Sequence, residues 1–156
     1  MSVSLTNKKI KKEWTDYNGH MNVAYYLLIF DLYGAETLMT KFKMGEHSAK
    51  TTKKSTMVVE SHITYNQEVK EKDEVDINLI YFDHDKKRLQ YKLEMIHKEK
   101  KYLASTIEML SLYVDLNERK VAEFEPEKIK IMDEYIKINK NNFNDKDLKF
   151  SNKLKK

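Results

Sequence analysis

The chain has 156 residues, the length of one domain, and 40% of them are apolar, enough for one core of two packed layers. No apolar run reaches the ~18 residues of a membrane span, and the absence of cysteine excludes disulfides and thiolate metal sites. The net charge of +4 comes from scattered side chains of both signs with only two arginines, so a nucleic-acid-binding surface is not indicated. We expect a cytoplasmic protein that binds neither nucleic acid nor membrane.

The first predicted elements are a short strand over residues 8–14, a polar loop from Thr15 to Asn22 and a long helix. Apolar side chains recur at spacings of three and four over about 20 residues, which indicates a helix: Met21, Tyr25, Leu28, Leu32, Ala35, Met39 and Phe42. The residues between them are also mostly apolar, so the helix should be buried on most sides. Gly45 is predicted to end it, and residues 46–55 to form a loop.

From Met57 to Leu116 the period changes to two, and charged turns separate the runs, which predicts a meander of antiparallel strands. In the first run, the alternation places Glu60 on one face with Val58, His62 and Thr64. A last short strand through Phe124 and a short amphipathic helix beginning at Pro126 follow. From Asn139 onward, 11 of 18 residues are Asn or Lys, which predicts a tail that frays.

This order predicts an α+β fold in which a curved antiparallel sheet of about five strands wraps a long central helix, because such an apolar helix must be covered on most sides. We assign residues 1–126 to this domain and residues 127–156 to a C-terminal helix and tail. The sheet edges would stay partly uncovered, so a homodimer, or a dimer of dimers, that continues the sheet is expected.

The candidate catalytic residues lie in the loop before the helix: Asp16, Asn18, Gly19, His20 and Asn22. A helix N-terminus offers free N–H groups and a partial positive charge, which would polarise a substrate carbonyl and stabilise a tetrahedral intermediate. Asp16 could attack the carbonyl or activate a water, and His20 could protonate the leaving group. Ordinary capping by Asp and Asn, and a surface role for His20, explain the same residues without chemistry.

The run Asp16-Tyr17-Asn18-Gly19-His20-Met21-Asn22, followed by Tyr25 and Tyr26, resembles the signature of hotdog-fold thioesterases related to 4-hydroxybenzoyl-CoA thioesterase. The longer run from Glu13 to Asp31 is most similar to the betainyl-CoA thioesterase type. The resemblance implies the hotdog fold, a catalytic Asp16 with Asn18 and His20, and a backbone donor near Asn22 or Val23. It also implies substrate contacts from Gly19, Tyr25 and Tyr65, and no cofactor beyond the CoA of the substrate.

Glu60 is a second candidate base, with Asp16 as an orienting group, if its face meets a partner subunit or the helix entrance, and is otherwise a solvated strand residue. A quaternary ammonium acyl group would need an aromatic cage, for which Trp14, Tyr17, Tyr25, Tyr26 and Tyr65 are candidates, although each also fits the core. The five histidines have no paired ligand spacing, so no metal site is expected.

The sequence therefore predicts a thioesterase that hydrolyses a small or medium acyl-CoA, with betainyl-CoA as one candidate. Two alternatives remain: a non-catalytic hotdog protein that binds acyl-CoA or acyl-carrier protein, and a hotdog hydratase. The loop from Asp16 to Asn22 does not by itself distinguish the thioesterase from these alternatives, and an assay of turnover is needed to do so.

Overall fold

The computed structural model describes residues 2–139, 148–149 and 153–156. The strands are β1 (Val3–Lys9), β2 (Lys54–Tyr65), β3 (Glu74–His84), β4 (Arg88–His97), β5 (Leu103–Asp115) and β6 (Lys120–Val121). The helices are α1 (Val23–Ile29), α2 (Glu36–Lys41), α3 (Glu46–Thr52) and α4 (Pro126–Asn139). No helix within the described ranges is long and apolar enough to span a membrane.

The strands form one antiparallel sheet in the order β1-β3-β4-β5-β2, and the short β6 pairs with the end of β5. The central strands β3, β4 and β5 form the core with the long helix, through fully buried side chains such as Ile77, Leu79, Leu93 and Ile107. This confirms the predicted fold, a long helix wrapped by a curved antiparallel sheet. In this strand order β2 is an edge strand, and most of its side chains are exposed.

The long central helix, residues 23–41, consists of α1, a π-helical segment (Phe30–Ala35) and α2, with helical backbone through both junctions. Gly34 lies in the π-helical segment, where an added Cβ would stand 2.9 Å from Leu93 Cδ1 and 3.1 Å from Ile77 Cγ2. The helix therefore approaches the sheet closely at this point. The predicted helix of about 20 residues is confirmed, but its predicted burial on most sides is wrong in part, because Leu32, Val23 and Leu27 are 56%, 57% and 44% exposed.

The predicted end of this helix was wrong in detail. Lys43, with φ of 58°, takes the left-handed position, and the Met44 N–H donates back to the Met39 carbonyl over 2.8 Å. Gly45 is extended and precedes α3 instead. The predicted loop over residues 46–55 was also wrong, because α3 occupies most of it. This helix of about two turns lies on the surface without an apolar stripe, so periodicity could not reveal it.

Two strand predictions need correction. The first strand was predicted over residues 8–14, but β1 ends at Lys9, and a 3₁₀ turn (Lys12–Trp14) carries Trp14 into the core. In β2 a bulge at Val59 interrupts the alternation. Val58 pairs with Ser111, whereas Glu60 pairs with Leu110, so the two side chains do not share a face as predicted.

The C-terminal helix begins at Pro126, as predicted, and packs on the sheet through buried Met132. The prediction of a fraying tail falls mostly outside the described residues. The described part of the tail contacts the sheet: the backbone N–H of Lys153 donates to Gln90 over 3.3 Å and that of Lys155 to Asp85 over 2.9 Å.

Candidate active site

The Asp16 side chain organises the loop before α1. Its Oδ1 accepts the backbone N–H of Asn18 over 2.8 Å and that of His20 over 3.4 Å. The turn is closed by the Gly19 N–H, which donates to the Asp16 carbonyl over 3.0 Å, and Gly19 has a φ of 79° that favours glycine. Within the described ranges Oδ2 of Asp16 has no hydrogen-bond partner, so it is the oxygen available for chemistry.

Asn22 caps the start of the helix. Its side-chain oxygen accepts the Ala24 N–H over 3.0 Å, and its carbonyl accepts that of Tyr25. Its own N–H donates to the Trp14 carbonyl over 2.9 Å. Among the described residues no acceptor is bonded to the Val23 N–H, which is therefore the open backbone donor at the positive end of the helix. The capping explanation of Asn22 is confirmed.

A cavity of about 520 Å³ opens beside this loop. Three segments line it: the loop, the first turn of α1 and the chain that leaves β2. The lining residues are Asp16, His20, Met21, Asn22, Val23, Tyr26, Tyr65, Asn66, Gln67 and Glu68. A carboxylate, an imidazole and an open helix N-terminus thus face one cavity, which is the arrangement required to polarise a carbonyl and attack it.

Glu68 is the partner of His20, with 3.0 Å between Glu68 Oε2 and His20 Nε2. Lys70 Nζ lies 3.8 Å from the other carboxylate oxygen. Sequence reasoning missed Glu68, and no local signal could have revealed it, since the pair joins two separate segments of the chain. Both side chains are about half exposed.

The predicted aromatic cage is not assembled within one chain. Tyr26 and Tyr65 line the cavity and meet edge to face with 5.2 Å between ring centroids. Burial raises the pKa of the Tyr26 hydroxyl, an effect that its hydrogen bond with Val69 only partly offsets. Tyr25 instead stacks on Trp14, outside the cavity lining, and Tyr17 is 96% exposed.

Of the predicted site residues, the structure brings Asp16, His20, Asn22, Val23 and Tyr65 to the cavity. Asn18 and Gly19 shape the loop but lie outside the cavity lining, and Tyr25 also lies outside it. Glu60 is also outside it, exposed on β2. Within the described residues, no three His, Asp or Glu side chains are grouped as ligands for a metal ion.

The sequence profile of the thioesterase-like superfamily matches residues 10–134. The betainyl-CoA thioesterase of Pseudomonas aeruginosa is 31% identical over 115 residues, which are 74% of this chain and 72% of the relative. The chain therefore belongs to the thioesterase-like superfamily, and it is a thioester hydrolase.

Solved structures of similar proteins share the fold. A putative thioesterase from Pseudomonas putida has a TM-score of 0.82 at 24% identity, with 100% of this chain and 99% of that chain covered. A Staphylococcus aureus protein solved in complex with CoA has a TM-score of 0.77 at 22% identity, with 97% and 90% covered. These likenesses identify the fold as the hotdog fold.

Proposed function

We propose that this protein hydrolyses a small or medium acyl-CoA to the free acid and CoA, with Asp16 as the reacting carboxylate. The observation that carries the proposal is the position of Asp16 in one cavity with the open Val23 N–H at the helix start. The relative named betainyl-CoA thioesterase and the neighbour solved with CoA support an acyl-CoA substrate.

In the proposed reaction the thioester oxygen accepts the Val23 N–H, and the partial positive charge of the helix start stabilises the developing oxyanion. Oδ2 of Asp16 either attacks the carbonyl carbon, which gives a mixed anhydride that water hydrolyses, or takes a proton from an attacking water. In both routes the carbon–sulfur bond breaks and His20 supplies the proton that the thiolate takes. Single turnover in ¹⁸O-water labels Asp16 only along the covalent route.

The test is release of free thiol from a panel of acyl-CoAs by the wild type and by Asp16→Asn. Asparagine keeps an Oδ1 that can accept both backbone N–H groups of the loop, so the fold should survive while the nucleophile or base is lost. We expect kcat to fall by at least about 10²-fold. Asp76→Asn, the same change on β3 outside the cavity, is the matched control and should keep wild-type activity.

Two results would contradict the proposal. No thiol release from any member of the panel, combined with tight acyl-CoA binding, would identify a non-catalytic binder. Full activity of Asp16→Asn would place the chemistry on another residue.

We further propose a cationic acyl group such as betainyl, because Tyr26 and Tyr65 present aromatic rings to the cavity. The matched neutral substrate is 3,3-dimethylbutanoyl-CoA, in which carbon replaces the quaternary nitrogen. A cation–π contribution of about 0.5–2 kcal/mol corresponds to an advantage of about 2- to 30-fold in kcat/KM for betainyl-CoA. Equal kcat/KM values for the two substrates would refute this choice of acyl group.

We also propose a homodimer, or a dimer of such dimers, formed through β2. Along this edge strand Met57, Val58 and Val59 are 54%, 43% and 50% exposed, and an unpaired edge of such composition favours pairing with a second copy. Light scattering after chromatography should give twice the chain mass, and Val58→Lys should give monomer. Glu60→Gln tests whether the partner brings Glu60 to the cavity, in which case kcat falls.

A further inference from the structure

The ion-pair contact between His20 and Glu68 favours a proton on one ring nitrogen over the other. Oε2 of Glu68 stands 3.0 Å from His20 Nε2, and the carboxylate oxygen favours a proton on that nitrogen, where two lone pairs would otherwise face each other. In the neutral ring Nδ1 then has the free lone pair, and in the imidazolium Nδ1 has a proton to give. Nδ1 is therefore the nitrogen left for a reacting group.

The backbone on both sides of this pair is fixed. The Tyr102 hydroxyl donates to the Glu68 carbonyl over 2.7 Å, and the Met21 N–H donates to the Val69 carbonyl over 2.8 Å. His20 and Lys70 form an antiparallel bridge. The chain after β2 is thus joined to the loop before α1, and it is this junction that holds the Glu68 carboxylate beside the imidazole.

The pair contributes little to stability, because His20 and Glu68 are 40% and 50% exposed and solvent screens such ion pairs. Its effect falls on the orientation of a ring that lines the cavity.

We propose that Glu68 is a positioning residue: it holds His20 through Nε2, so that Nδ1 of the imidazolium gives its proton to the departing CoA thiolate. This inference rests on the proposed thioesterase reaction. The proton passes from Nδ1 to the sulfur as the carbon–sulfur bond breaks. Nδ1 regains a proton from the water that the reaction consumes, directly when that water hydrolyses the anhydride, or by way of Asp16 on the general-base route. Glu68 itself touches no substrate atom.

The experiment is a double-mutant cycle between Glu68→Gln and His20→Ala, followed with the best acyl-CoA of the panel. Glu68→Gln should lower kcat about tenfold and leave KM within about twofold, because orientation of a general acid is lost while binding is not. Glu68→Asp should recover part of the activity, since the carboxylate is retained. Glu71→Gln, an exposed neighbour outside the cavity, should behave as the wild type.

In the His20→Ala background Glu68→Gln should have no further effect, because Glu68 acts only through His20. Additive losses would overturn the proposal and make Glu68 a direct substrate contact. A rise in KM confined to betainyl-CoA, with 3,3-dimethylbutanoyl-CoA unaffected, would overturn it in favour of a cation-binding carboxylate.

A second measurement is independent of turnover and separates failure of this inference from failure of the proposed function. The ¹⁵N shifts of the His20 ring at alkaline pH report its tautomer. The wild type should carry the proton on Nε2, and Glu68→Gln should weaken that preference, since the amide can donate as well as accept. A wild-type ring protonated mainly on Nδ1 would refute the positioning role even if acyl-CoA hydrolysis is found.

Discussion

Replacement of Gly34 by alanine should destabilise the fold at the point where the central helix meets the sheet. The new Cβ would stand 2.9 Å from Leu93 Cδ1 and 3.1 Å from Ile77 Cγ2, whereas carbon atoms pack best at about 3.5–4.0 Å. Leu93 and Ile77 are fully buried on β4 and β3, and the β-branched Ile77 has little rotamer freedom.

Overpacking of a buried site costs about 1–3 kcal/mol, and the higher helix propensity of alanine returns about 1 kcal/mol. The net loss should be about 1 kcal/mol. With a urea slope of about 2 kcal/mol per molar, the unfolding midpoint should fall by about 0.5 M. Equilibrium unfolding in urea, followed by circular dichroism at constant protein concentration, measures this shift.

A second substitution tests the cause of that loss. Leu93→Val removes the Cδ1 atom that the alanine would meet, so the double variant should be more stable than the sum of the single changes predicts. We expect a favourable coupling of at least about 0.5 kcal/mol. A Gly34→Ala protein more stable than the wild type, or a coupling of zero, would refute the argument that close approach requires glycine here.

Two further predictions concern the helix start and the acid stability. Asn22→Ala removes the acceptor of the Ala24 N–H and should cost about 1 kcal/mol in thermal or urea unfolding, while Asn22→Asp, which keeps the acceptor, should cost clearly less. Burial acts to raise the pKa of Asp85, but backbone N–H groups of Lys155, Lys87 and Arg88 outweigh it and hold that pKa below its usual value. Because the folded pKa lies below the unfolded one, the stabilisation is complete above about pH 4 and is lost as the pH falls further. Asp85→Asn should therefore show a smaller loss of stability between neutral pH and about pH 3 than the wild type, and an equal loss would contradict this account.

The long helix and the strands were predictable because each has a periodic burial pattern extended over many residues. In α1 and the segments that follow it, buried side chains such as Phe30 and Leu38 recur at helical spacing. In β3, Val75, Ile77 and Leu79 alternate with partly exposed neighbours. Burial of one face of a helix or strand produces a periodic pattern of apolar residues in the sequence. This pattern predicts how the helix and the sheet are layered.

Features that produce no periodic pattern in the sequence were not predicted. Helix α3 has no buried residue, so nothing in its composition separates it from a loop. Lys43, and not the nearby glycine, adopts the left-handed conformation. The hydrogen bonds that close the helix end determine which position takes this conformation, whichever residue type occupies it. The bulge at Val59 shifts the alternation by one residue, which no local pattern indicates.

The same distinction divides the candidate site. The loop around Asp16 is closed by bonds between residues two to four positions apart, so its compact run of polar residues and glycine indicated a special conformation. The partner of His20 comes from the chain after β2, and the choice of backbone donor depends on Trp14. By accepting the Asn22 N–H, the Trp14 carbonyl leaves Val23 as the open donor at the helix start. Trp14 is buried in the core, so the position of the proposed oxyanion donor depends on core packing. Mutations that displace Trp14 should therefore impair turnover, even though its ring lies outside the cavity lining.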